Sequence, residues 1–264
     1  ATNGKKYTTP LAVRRTTVVR AGVFKSGMLP SRVETHTFAY NLSKAVTSLP
    51  MMSLVTENSN LWGNTGIMET NPRNTTKRGI AWERPVSMEL IYPETGETLH
   101  ANAGLRVQGG NYIRGRYNPN AGPPAGKYSF RLYFRGDYGP GRLRHPIFPG
   151  LQVQDFNHIV LRAGMNDNTN PFVIDELVRR LSADMGQVAA RGTFVNLYLN
   201  GSNKGYYNPT ERIDSDFLNS WNGGESEWDI IAQFGELREG DMLMWNRLKS
   251  ALLKNLSIPQ NYVE

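Results

Sequence analysis

The sequence predicts a mixed fold of α-helices and β-strands, and three observations predict it. Short runs of branched and aromatic residues recur between turn residues along most of the chain. Twenty-six glycines and fifteen prolines among 264 residues interrupt the chain too often for a helical bundle. Apolar stripes of helical spacing occur only in the carboxy-terminal part, after a long series of strand-like segments. A hydrophobic content of 39% with 10% aromatic residues can fill the core of one large domain, alone or with a small appendage.

Two β-rich runs open the chain, Thr16–Phe24 and Val33–Tyr40, separated by a Gly/Pro turn at Lys25–Pro30. They read as a hairpin or as the end of a small sandwich, since two strands cannot hold a core of their own. A short strand follows at Met51–Thr56, then a long loop rich in Asn, Gly and Thr over 57–80. Strands recur at Pro85–Ile91, Ala103–Gln108, Tyr128–Phe134 and Asn157–Arg162. The first three of these four alternate apolar with polar or basic residues, as half-buried antiparallel strands do.

The clearest helix spans 171–185. Asn170 is placed to cap it, Pro171 suits its first turn, Asp175 and Glu176 sit at its positive end, and Gly186 closes it. Ile174, Leu177, Leu181 and Met185 form its expected buried stripe, and the pairs Asp175 with Arg179 and Glu176 with Arg180 have helix-surface spacing. Runs at Thr193–Leu199 and Gly205–Glu211 flank Asn200–Lys204, a hairpin with a slightly long loop. Two further helices are expected near 213–221 and 241–254, the latter burying Met244, Leu248, Ala251 and Leu252.

Thirty basic residues against 23 acidic ones leave a net charge of +7, with arginine concentrated between positions 106 and 144. That density suits phosphate or an acidic partner. No basic run is interleaved with aromatic residues, which argues against nucleic acid as a partner. The absence of cysteine excludes disulfides, thiolate metal sites and a cysteine nucleophile. No apolar run approaches a membrane span, and neither a leader nor an initiator methionine opens the sequence, so it reads as an excerpt of a longer protein.

No HExxH, GxSxG or Walker pattern occurs, and His36, His100, His145 and His158 lie far apart in sequence, each reading as a surface or packing residue. An order of features remains. Gly109 and Gly110 follow the strand ending at Gln108, where small residues let a backbone approach a phosphate, although the pair also reads as a plain turn. Lys127 heads the next strand, where it is either a phosphate-binding cation or solvent-facing. Glu176 on the helix and Glu211 after the hairpin complete the order of a protein-kinase amino-terminal lobe.

The same residues carry a family resemblance. Ser48–Thr56, Trp82–Val86, Asn102–Gly110, Lys127–Arg135, Tyr138–Phe148, Val160–Asn166, Leu199–Gly201 and Gly205–Asp214 look like successive blocks of the CotH (spore-coat protein H) family, in family order, over roughly 45–264. The resemblance implies an α+β, remotely protein-kinase-like fold, mainly its amino-terminal lobe and the start of the next, with an antiparallel sheet plus helices. It implies ATP with Mg or Mn as cofactors and phosphorylation of Ser/Thr-rich protein partners. By position it implies Gly109 and Gly110 above the nucleotide, Lys127 on its phosphates, Glu176 as the lysine's partner and Glu211 near the connecting strand. Residues 1–40 resemble the end of a chitobiase carboxy-terminal-type β-module, which implies a bacterial extracellular or cell-surface location.

The sequence departs from the family where Ile174 stands in place of an arginine before Asp175. The family's catalytic and metal-binding aspartates come in blocks beyond the region of Asn261 and Tyr262, and Asp229 and Asp241 do not match those blocks. The resemblance therefore implies little or no kinase activity for this segment by itself. A non-catalytic surface or adhesion module on the same scaffold is the alternative. A carbohydrate-binding module resting on the five dispersed tryptophans is a third reading, against which such tryptophans are ordinarily core residues.

Overall fold

The computed structural model describes residues 4–109, 127–164 and 173–263. The chain divides into two compact units, Ala1–Glu211 and Arg212–Glu264. The first is built on strands β1 (Thr17–Ala21), β2 (Glu34–Phe38), β3 (Met51–Val55), β4 (Arg84–Ile91), β5 (Thr98–Gln108), β6 (Ser129–Tyr133), β7 (Leu143–Arg144), β8 (Asp155–Phe156), β9 (His158–Arg162), β10 (Val195–Leu199) and β11 (Ser202–Thr210). Its helices are α1 (Lys44–Thr47), α2 (Asn58–Leu61) and α3 (Ile174–Asp184).

Seven of these strands close into a barrel in the order β10-β11-β9-β6-β5-β4-β3. Every neighbouring pair is antiparallel except β3 with β10. An odd number of strands requires this: alternating directions cannot close a ring of seven without one parallel contact. The class expected from sequence, α with β around an antiparallel sheet, is what the described residues form. Closure of the sheet was not legible, because the pair that closes it joins residues 145 positions apart, such as Met51 and Asn196, and leaves no local pattern.

The period-2 alternation fills the barrel. Met52 and Leu54, Val86, Met88 and Leu90, Leu105 and Val107, Phe130 and Leu132, Ile159 and Leu161, and Val195 and Leu197 all enter one core. Each such side chain contributes about 1.5–3 kcal/mol on burial. The two ends are plugged by loops. The 57–80 segment, read from sequence as a long polar loop, buries Leu61, Ile67 and Met68 in this core, and the connection between β6 and β9 buries Leu143, Ile147 and Phe148. Asn74 holds the first plug by donating to the Asn64 and Gly66 carbonyls at 2.9 and 3.0 Å.

The expected opening hairpin forms as β1 against β2 and lies on the barrel, with the Thr37 hydroxyl donating to Ser53 Oγ at 2.8 Å. Between β10 and β11 the loop is tighter than expected. Asn200 and Gly201 alone make the turn, with φ of 49° and 80°, the left-handed pair of a two-residue hairpin, and β11 starts already at Ser202.

Helix α3 forms within the expected span and is closed by Gly186 at φ 81°; the expected cap and first turn at Asn170 and Pro171 lie outside the described residues. Its buried side differs from expectation. Ile174, Leu177, Leu181 and Met185 are 45–72% exposed, and Glu176 is the buried residue. The helix meets β9 and β11 through polar groups, so the carboxylate face turns inward and the apolar stripe outward.

The second unit contains α4 (Ser215–Asn222), β12 (Ile230–Ala232), β13 (Glu236–Glu239), α5 (Leu243–Leu252) and α6 (Pro259–Val263). Asp214 caps α4, its carboxylate accepting from the Phe217 amide at 3.0 Å. Of the residues expected to be buried along α5, Met244, Leu248 and Leu252 are at least half exposed and Ala251 is half-buried.

Candidate functional site

Antiparallel order brings the end of β5, the start of β6 and the end of β9 to one rim of the barrel. Gly109 leaves β5 there with φ 128°, a conformation open to glycine and strained for other residues. Gly110 lies outside the described residues. Lys127 enters the same rim just before β6, and its Nζ donates to the Tyr206 carbonyl at 2.6 Å. The ammonium also stands 4.6 Å from the Tyr206 ring centre and 4.9 Å from that of Tyr207. Gly205, at φ 78°, lies directly beside it, since a Cβ there would be in ordinary contact with Nζ at 3.4 Å.

Among the described residues no carboxylate forms an ion pair with Lys127. Burial against the two tyrosines, uncompensated by an anion, lowers its pKa from 10.5 to about 8. A desolvated ammonium beside small residues is suited to an anionic ligand, which would replace the lost hydration.

Glu176 is not that anion. Its carboxylate accepts from Arg180 Nε at 2.8 Å and from Asn208 Nδ2 at 3.0 Å, and pairs with Arg179 at 2.8 Å. Burial pushes its pKa up, but the Arg180 and Asn208 hydrogen bonds and the two guanidinium charges outweigh it, and the net direction is down. Gly192 makes room for this arrangement, because a Cβ would fall 2.4 Å from Glu176 Oε2 and 2.9 Å from the Pro209 carbonyl. Glu211 lies one residue beyond β11 and accepts from the Arg191 amide at 2.9 Å. It is five positions beyond Tyr206, about 16 Å along an extended strand.

The structure thus brings Gly109 and Lys127 together, sets Glu176 on α3 against Asn208 of the adjoining strand, and keeps Glu211 at the strand's other end. Sequence reasoning missed Gly205, Tyr206 and Tyr207 as the lysine's surroundings; the Gly-Tyr-Tyr run was visible, but its proximity to a residue nearly 80 positions away was not. It also missed that Arg106 and Arg131 stand directly opposite each other on β5 and β6. Both stack on the Tyr133 ring, at 4.9 and 5.5 Å, which moderates the like-charge contact. Glu83 binds Arg135 and Tyr138 nearby, and burial followed by the Glu83 charge pushes the Tyr138 phenol up to about 12.

Fold and site together define a mixed α/β domain with a half-buried lysine on one rim of a seven-stranded barrel. Residues 114–258 match the CotH kinase protein family, and the chain belongs to it. The match includes Lys127, Glu176 and Glu211 and begins after Gly109 and Gly110. No curated protein matches the chain. Among the described residues no helix is long and apolar enough to cross a membrane.

Proposed function

We propose that this chain binds ATP at the Lys127 rim and belongs to an exported atypical kinase that phosphorylates Ser/Thr-rich proteins. The observation that carries the reading is the half-buried Lys127 ammonium, which faces aromatic rings and a backbone carbonyl and lacks a carboxylate partner among the described residues. Nucleotide phosphates supply the missing charge. Gly109 at the same rim lets the backbone come close to them.

In this reading the barrel strands with α3 correspond to the amino-terminal lobe of a remote kinase-like fold. The order of glycine turn, lysine strand, helix carboxylate and Glu211 supports it. Glu176 acts through Asn208, holding the strand that carries Tyr206 and Tyr207. Mg or Mn would enter this rim with the nucleotide and help neutralise its phosphate charge, and no protein step is routed through the ion. Residues 1–40 are the end of a chitobiase-type module in this reading, supported by the β1–β2 hairpin, and the protein works at the bacterial surface.

The test is calorimetric titration of the chain with ATP and MgCl2. Saturable binding by the wild type, lost in Lys127→Ala, is the expected result. Absence of binding by the wild type, or equal binding by the variant, rejects the site.

A further inference from the structure

Cross-strand register sets Ser53, Glu89 and His100 in one row on the outer face of β3, β4 and β5. The β1–β2 hairpin lies over that row. Thr37 of β2 bonds Ser53, and this brings the neighbouring His36 to Glu89. His36 Nδ1 is 3.7 Å and His100 Nδ1 is 3.4 Å from Glu89 Oε1, and the two imidazole centres are 4.9 Å apart. One ligand atom from each of the three side chains lies within 4.8 Å of the other two.

Glu89 makes this more than a chance meeting of side chains. It is 2% exposed, and its Oε2 is buried without a hydrogen-bond partner. Its ion-pair-distance neighbours among the described residues are these two imidazoles, with no lysine or arginine. A carboxylate taken out of water in this way carries a large desolvation cost unless a cation satisfies it.

We propose that His36, Glu89 and His100 bind a divalent transition metal of the Zn2+ type, which fastens the amino-terminal hairpin to the barrel. Two imidazoles and one carboxylate are the donor set of zinc sites that keep a fourth position for water. Magnesium and calcium favour all-oxygen ligation and are disfavoured here. Tetrahedral ligands at about 2.0–2.1 Å from zinc stand about 3.3 Å apart. The His100 contact with Glu89 already meets that separation, the His36 contact at 3.7 Å lies a few tenths of an ångström beyond it, and the ligand atoms of the two histidines, within 4.8 Å of each other, have to draw together as the ion binds. Because His36 comes from the hairpin and the other two ligands from the barrel, the ion would add to contacts such as the Thr37 hydrogen bond and the Arg20–Glu57 ion pair that join these elements. A two-stranded hairpin is marginal without such support. This site is independent of the nucleotide reading and stands or falls separately.

The chain, stripped of metal with a chelator, is titrated with ZnCl2 by calorimetry at neutral pH, alongside His36→Ala, His100→Ala and His145→Ala. One zinc per chain is expected. The first two substitutions should weaken binding by about 100-fold, at the upper end of what loss of supporting groups does to metal affinity, and His145→Ala should bind as the wild type. Zinc should also slow hydrogen exchange of the β1 and β2 amides in the wild type, a readout that needs no variant. No zinc uptake, affinity unchanged in His36→Ala, or hairpin exchange indifferent to bound zinc each overturns the proposal.

Discussion

Lys127 donates to the carbonyl of Tyr206 at 2.6 Å, 79 residues away in sequence, and is held between two tyrosine rings with no carboxylate partner among the described residues. A positive charge is thereby placed where it weakens the fold. Its folded pKa of about 8 lies below the ordinary 10.5, so the unfolded chain binds the proton more tightly. Stability lost to this group below pH 8 is regained as pH rises from 8 to 10.5. Lys127→Met should accordingly melt at a higher temperature than the wild type at pH 7, with the difference shrinking above pH 8, while ATP binding disappears. Melting curves at pH 7 and pH 10 check the first part.

The same lowered pKa predicts proton uptake. At pH 8 about half of the Lys127 side chains are neutral, and a bound phosphate raises the pKa by stabilising the ammonium. ATP titrations at pH 8 in two buffers of different ionisation enthalpy should yield different apparent heats, and the difference should shrink at pH 7, where the amine is already mostly protonated. Buffer-independent heats in the wild type would count against phosphate contact with this amine.

Gly192 is a packing requirement. A methyl group there collides with Glu176 Oε2 and with the Pro209 carbonyl. One of these is backbone, so the strand has to move as well as the side chain. Gly192→Ala should destabilise the fold by about 1–3 kcal/mol, the usual cost of overpacking, measured by urea denaturation.

Glu176 makes the barrel acid-sensitive. Burial raises its pKa, but the bonds from Arg180 and Asn208 and the charge of Arg179 win, and the folded value lies below the ordinary 4.5. A depressed carboxylate pKa means that its stabilisation is complete above the unfolded value and disappears as pH falls through the folded one. Glu176→Gln should flatten the loss of stability below about pH 4.5, seen by comparing unfolding midpoints from pH 6 to pH 3.

Asp214 accepts from the Phe217 amide at 3.0 Å and starts α4. Asp214→Asn should retain most of the stability of the second unit, and Asp214→Ala should lose about 1 kcal/mol, the typical worth of such a cap. Thermal melts of the two variants decide this.

Strand and helix positions were largely legible in the residues. Strand signals placed β4, β5, β6 and β9 within a residue or two except at the start of β5, with alternation marking the first three, and turn and end signals at Asn200, Gly201 and Gly186 marked the hairpin and the close of α3. The candidate site was legible only in part. Lys127 and Gly109 stood out as a cation and a small residue flanking a chain reversal, but Glu176 had helix-surface spacing to Arg180 that local rules already explained, and that pair did form. What local rules could not supply was Asn208, brought from β11 to the same carboxylate.

The order of elements, the inward residues of each strand and the candidate lysine were determined by the sequence alone, because side-chain period, turn chemistry and charge are local properties. Tertiary structure decided the rest. Barrel closure through the parallel contact of β3 with β10, the outward turn of the α3 apolar stripe, the tyrosines around Lys127 and the meeting of His36, Glu89 and His100 all join residues distant in sequence. No periodicity within one segment encodes such meetings; they follow from strand register and from which face another element covers.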